Sequence, residues 1–203
     1  MEKSSTETPA MESPEIIALI AAEIEKQLAP FRDEMSKSLA DLRERTVDNR
    51  ATLVVFSGDL DKVLAAFVIA TGAAAAGLET TMFFTFWGLA PLKKKGAAPG
   101  RKSLKEKMFS MMTPSGSTSL HTSKLDFFGM GAAMLRSMMK DKQIASLEEL
   151  MELGRDLGIK LIACTMSMDA MGVAKEELID GLEYAGVATY MADAATSRVT
   201  LFV

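Results

Sequence analysis

The sequence is short of the residues that many function classes require. Its 203 residues contain one cysteine, Cys164, which excludes a disulfide within the chain. With one histidine beside that one cysteine, a Cys/His zinc site inside one chain is excluded as well. No phosphate-loop or dinucleotide fingerprint is present. No metal and no cofactor is therefore expected. The net charge of −4 lacks the basic excess of a general nucleic-acid binder, so no nucleic-acid partner is expected. Residues 1–14 are polar and rich in Ser, Thr, Glu and Pro, without the basic start and apolar stretch of a signal peptide. They read as a loose tail, and a cytoplasmic address is the expectation. Aromatic residues are scarce at 6%, and sixteen methionines take up part of the apolar share. Met is flexible and polarizable, which suits adaptable apolar surfaces.

A hydrophobic share of 48% with 25% charge is that of a foldable chain. From Val63 to Leu92 the only charge is Glu79, and Lys93-Lys94-Lys95 follows. The run is poor in Leu and Ile and is interrupted by Gly72, Gly77 and Gly88. It divides into a helix-like half, Val63–Leu78, and a strand-like half, Thr80–Phe86, so it does not read as a membrane span. Residues 93–107 hold seven basic residues and one acid, hence net +6. Such a strip is a solvated loop or a means of steering an acidic partner or an anionic surface.

Residues 15–46 read as one amphipathic helix, capped by Ser13 with Pro14 in the first turn. Its apolar positions, Ile17, Ile20, Ile24, Leu28, Phe31, Met35, Leu39 and Leu42, step by three or four. Pro30 should kink or split it. The stripe needs a partner, either its own domain or another subunit.

Residues 51–203 alternate apolar runs with helical patterns. Strands are expected at Ala51–Phe56, Thr80–Phe86, Ile159–Ala163, Val187–Tyr190 and Arg198–Val203. Helices are expected at Leu60–Ala76, Phe127–Lys140, from the Ser146-Leu-Glu-Glu149 capping box to Leu157, and from Val173 or Ala174 to Tyr184. A helical turn at Met191–Ser197 joins the last two strands. Residues 90–140 form an insertion. This order predicts an α/β fold of three layers around a mostly parallel five-stranded sheet. In such a sheet the strand C-termini share one rim, where ligands bind. Ser57-Gly58-Asp59, Phe86-Trp87-Gly88 and Cys164 should lie there.

Cys164 stands between a buried strand and a following helix, where free N–H groups favour a thiolate. The plain alternative is a small buried hydrophobe. A reactive Cys164 would have to exchange with another molecule, which suits a persulfide carrier better than a two-cysteine oxidoreductase. His121 lies in a Ser/Thr-rich loop with no local signature of a Cys–His pair. Asp59 reads as a helix cap, Gly58 as a tight turn, and Trp87 as core or as a pocket wall. Met130, Met134 and Met138 share one helix face, which reads as adaptable packing over the rim or in a subunit contact, with a soft-metal site for Cu(I) as the alternative that the spacing does not specify.

Four segments carry a family resemblance. They are Phe56-Ser-Gly-Asp-Leu-Asp-Lys62; Thr81-Met-Phe-Phe-Thr-Phe-Trp-Gly-Leu89; Ala163-Cys-Thr-Met-Ser-Met-Asp-Ala-Met-Gly172; and Glu176-Glu-Leu-Ile-Asp-Gly181 through Gly186-Val-Ala-Thr-Tyr190. The chain resembles the DsrE/DsrF/DsrH-like sulfurtransferase family, in its larger Met-rich subgroup. The resemblance implies a flavodoxin-like fold, a homo-oligomer, and Cys164 as the sulfur-accepting residue. It implies rhodanese-like or TusA-like donors and acceptors, and it keeps membrane association open. Ser57, Gly58, Asp59, Trp87, Gly88, Thr165, Met166, Ser167 and Asp169 are the candidate pocket residues. The competing expectation is a non-catalytic oligomeric scaffold in which Cys164 only packs.

Overall fold

The computed structural model describes residues 14–45, 48–96 and 114–203, in two compact units divided after Thr46. Most of the polar tail and of the basic strip lies outside the described residues, as do Met108, Met111 and Met112.

The first unit is helix α1 (Pro14–Arg45), which carries Pro30 in its interior without a break. Its apolar side chains are exposed.

The second unit is a three-layer α/β domain. Strands β1 (Asp48–Val55), β2 (Glu79–Phe84), β3 (Lys160–Cys164), β4 (Glu183–Ala185) and β5 (Ser197–Phe202) form a sheet of order β4-β3-β2-β1-β5. Every pairing is parallel. The helices are α2 (Leu60–Ala75), α3 (Met130–Asp141), α4 (Leu147–Asp156), α5 (Thr165–Met171) and α6 (Val187–Thr196), with a 3₁₀ segment at Phe86–Leu92.

Strand parity separates two cores, because successive side chains point to opposite faces. Leu53, Val55, Met82, Phe84, Leu161 and Ala163 join the larger cluster with α2 and α4. Phe67 of α2 meets Phe84 there at 6.0 Å between ring centroids. Fully buried side chains of this size each stabilise the fold by about 2–3 kcal/mol. Val54, Phe83, Ile162 and Cys164 face the other way, into a small cluster closed by Tyr190 of α6. Tyr190 stacks on Phe83 at 5.1 Å.

Two expected elements differ. Residues 173–184 were expected as helix but hold a 3₁₀ turn at Lys175–Glu177 and the start of β4 at Glu183. The following backbone is drawn into pairing instead: Ile179 donates to the Leu92 carbonyl at 2.8 Å, and Lys93 bridges Leu178. Gly181, at φ +83°, then turns the chain toward β4. Val187–Tyr190 was expected as strand but opens α6. Its apolar residues Val187, Tyr190, Met191 and Ala194 are spaced as a helix face. At Ser146 the expected capping box is present, with Glu149 reciprocating.

The 3₁₀ segment presses directly on the end of β1. A Cβ on Gly88 would lie 2.0 Å from the Val55 carbonyl oxygen, and one on Gly58 2.7 Å from the Trp87 carbonyl oxygen. Close approach, rather than the tight turn expected at Gly58, is what excludes a side chain there. Gly72, on an exposed part of α2, has nothing within 4 Å of such a Cβ. Gly88→Ala should therefore destabilise the domain by about 3 kcal/mol in urea unfolding. Gly72→Ala should stabilise it by about 0.5–1 kcal/mol, because the unfolded chain loses freedom and the helix gains a better former.

Candidate functional site

At the carboxyl edge of the sheet the smaller core opens into a cleft of about 500 Å³. Phe83, Cys164 and Tyr190 are among its buried lining, while Phe86, Met166, Val187 and Phe202 are exposed parts of its wall. The place follows from topology. The chain steps outward from β1 to β4 and returns to the far side of β1 as β5, so the strand order reverses beside β1. Ligands of open α/β sheets bind where this happens.

Cys164 is the last residue of β3 and the N-cap of α5, with φ −70° and ψ 114°. No side-chain capping bond forms there. Its relative exposure is 2%, and it is one of the residues lining the cleft. Next to it, the hydroxyls of Thr85 and the fully buried Ser167 share a hydrogen bond of 2.7 Å. That bond ties the end of β2 to α5. Thr85 also donates its N–H to the Val55 carbonyl at 3.0 Å. Phe86 then takes a left-handed φ of +49°. Such a backbone costs about 1–3 kcal/mol and persists only where its surroundings fix it. Here the phenyl ring lines the cleft and meets Phe56 at 5.8 Å. Phe56 in turn stacks on Phe202 at 5.8 Å.

Of the residues expected in the pocket, Cys164 and Met166 line this cleft. Ser167 and Gly88 are buried in its supports. Thr165 opens α5, and Asp169, further along it, is exposed. Trp87 stands on the rim at 44% exposure and is not among the cleft walls. Ser57 and Asp59 bind one another, with the Ser57 hydroxyl 2.9 Å from the Asp59 carboxylate, and Lys62 adds an ion pair at 2.8 Å. Asp59 holds the N-cap position of α2 but makes no side-chain cap. The Leu60 N–H goes instead to the His121 carbonyl at 2.7 Å. His121 itself pairs through Nδ1 with Asp126 and does not line the cleft. Met130, Met134 and Met138 are exposed and line a separate groove of about 490 Å³ beside Leu125 and Phe127.

Sequence reasoning missed Val54, Phe83, Tyr190 and Phe202 as walls. A signal for the first two was available, since they alternate with the residues of the larger core.

The family comparison agrees with this frame. A family model described as DsrE/DsrF/DrsH-like matches residues 47–202. The chain belongs to that family. It is 47% identical over 154 residues to the uncharacterized protein YrkE of Bacillus subtilis, covering 76% of this chain and 96% of that one. It is 37% identical over 158 residues to the sulfur carrier protein DsrE2 of Allochromatium vinosum, covering 76% and 98%. The crystal structure of the ychN protein from E. coli aligns over 76% of this chain and 99% of its own, with a TM-score of 0.43 and 11% identity. No described helix is long and apolar enough to cross a membrane.

Two outcomes check the local geometry. Thr85→Val, Ser167→Ala and the double variant should show a coupling of about 0.5–1.5 kcal/mol in a double-mutant cycle of unfolding. Asp61 anchors the 114–126 loop by accepting from the Ser123 N–H at 2.8 Å and hydroxyl at 2.6 Å. Burial pulls the Asp61 carboxyl upward, but these bonds outweigh it and hold the group below its ordinary value. A lowered carboxyl contributes stability above its unfolded value, lost as pH falls through the folded one. Ser123→Ala, which removes the hydroxyl bond and keeps the backbone one, should move the Asp61 titration upward by NMR and reduce that part of the acid dependence.

Proposed function

We propose that this protein is a sulfur-relay protein that carries sulfane sulfur as a persulfide on Cys164. The observation that supports it most is that the only cysteine in the chain lines an apolar cleft at the rim where this fold class binds ligands. Family membership, with a relative named as a sulfur carrier, agrees.

The chemistry is an exchange without net oxidation. The Cys164 thiolate attacks the outer sulfur of a donor persulfide, R–S–SH. A sulfur–sulfur bond forms to Cys164 as the donor's own breaks. The donor leaves as its thiolate R–S⁻ and Cys164–S–SH remains. An acceptor thiolate repeats the step on the outer sulfur and regenerates Cys164. The deep placement of Cys164 selects donors and acceptors that reach in: a small polysulfide, or a protein presenting its thiol on a protruding arm. Rhodanese-like and TusA-like proteins are the partners to try. The apolar wall shields the persulfide from bulk thiols, and the Thr85–Ser167 bond keeps β2 and α5 in place around it.

The 2% exposure of Cys164 also favours a second reading, in which the thiol only packs and the domain is a binding scaffold. One experiment separates them. Incubation with polysulfide or a persulfidated rhodanese should add the mass of one sulfur atom to the intact protein, and Cys164→Ser should gain nothing. Iodoacetamide should alkylate the native protein at Cys164, and prior sulfur loading should block that. A native thiol that neither alkylates nor loads from any donor sinks the relay and leaves the scaffold.

A further inference from the structure

Helix α1 lies before the family match, which begins at residue 47. Relatives matched over 96% and 98% of their own length align with about three-quarters of this chain. The α/β domain is thus complete without α1, and the helix needs its own physical explanation.

Its sequence repeats every eleven residues. Ile17, Leu28 and Leu39 are eleven apart; so are Ile20, Phe31 and Leu42, then Ile24 and Met35. The period extends beyond the apolar stripe, to Ala18, Ala29 and Ala40, to Glu23 and Glu34, and to Lys26 and Lys37. Eleven residues in three turns is about 3.67 per turn, close to the helix's own period, so the stripe stays on one face along the whole length. A helix packing on a globular domain needs no such regularity. Two helices running along each other do, because each layer must meet an equivalent one.

All eight stripe residues are 48–59% exposed. Each would add on the order of 100 Å² to a contact, about 800 Å² per helix, which is the share one partner brings to a stable interface. Pro30 lies on the opposite face from the stripe, next to the turn of Lys26. The carbonyl it leaves without an N–H partner can therefore be served by water. A lipid surface fits poorly. The helix carries five basic and seven acidic residues, hence net −2, where membrane-surface helices are rich in Lys and Arg.

We infer that α1 is a self-association helix: the eleven-residue stripe pairs with the same stripe of a second copy of this chain and links two sulfur-relay domains. The pair should supercoil to the right, the hand that an eleven-residue repeat imposes.

Light scattering and sedimentation of the full chain, in reducing buffer, test this. Ile24→Glu/Phe31→Glu, which puts charges in the stripe, should halve the solution mass. Lys26→Glu/Lys37→Glu, on the far face, should leave it unchanged, as should Phe31→Leu/Met35→Leu. Near-ultraviolet dichroism of Trp87 should be the same in all, confirming an intact domain. A stripe variant with the mass of the parent overturns the proposal and points to α1 folding on its own domain. Loss of binding to anionic vesicles with no change in mass overturns it in favour of a membrane contact.

Discussion

A β-strand gives its side chains only two directions, and that parity decides what Cys164 can be. Ala163 points into the large core beneath α2 and α4, where a thiol would be walled in on every side. Cys164, one residue on, points to the opposite face, where Tyr190 of α6 packs in the same small cluster. That cluster opens into the cleft at the strand ends. A shift of β3 by one residue would exchange the two environments and remove the site, since register sets which face each side chain takes. That register is held by pairing on both sides, Ala163 to Phe84 and Cys164 to Ala185.

The rim depends on a second constraint, the absence of side chains at Gly58 and Gly88. The Gly88 backbone lies close enough to the end of β1 for its N–H to donate to the Phe56 carbonyl at 2.8 Å. This fixes the start of the 3₁₀ segment and, with it, the left-handed Phe86 that lines the cleft. The far end of the same segment is fastened by the Lys93–Leu178 bridge and by Lys94, whose N–H donates to the Glu177 carbonyl at 2.7 Å. Residues remote from the thiol in sequence thus set the walls around it. The apolar walls of the cleft select by size and reach.

Much of this was legible beforehand, for identifiable reasons. Continuous β-branched runs mark strands buried on both faces, so the strands that became β1, β2 and β3 were readable with their helices, and Cys164 fell on the rim. The two misread elements are short and lie together near β4. There local preference competes with long-range pairing: the stretch after Glu177 gives its backbone groups to the 3₁₀ segment, a contact that no local pattern encodes. Val187-Ala-Thr-Tyr190 contains strand-forming residues, but its helical spacing outweighs them once Tyr190 finds Phe83. Ser57 and Asp59 follow the carboxyl end of β1. Which way they face could not be read, because loop side chains obey no simple period. They turn toward each other and Lys62.

With Cys164 as the proposed relay thiol and α1 as the proposed self-association helix, the two units would divide two requirements that conflict within one small domain. A relay thiol needs an apolar surface left partly uncovered, and uncovered apolar surface invites indiscriminate association. Phe202, at 70% exposure on edge strand β5, shows how open the cleft's side of the sheet is. If association is carried by α1, whose eleven-residue spacing admits few partners, the cleft itself need not be buried in a contact between subunits. The carrier face then stays open to donor and acceptor while a separate, periodic surface determines which chains are joined. Specificity of this kind comes from matching repeats rather than from area alone.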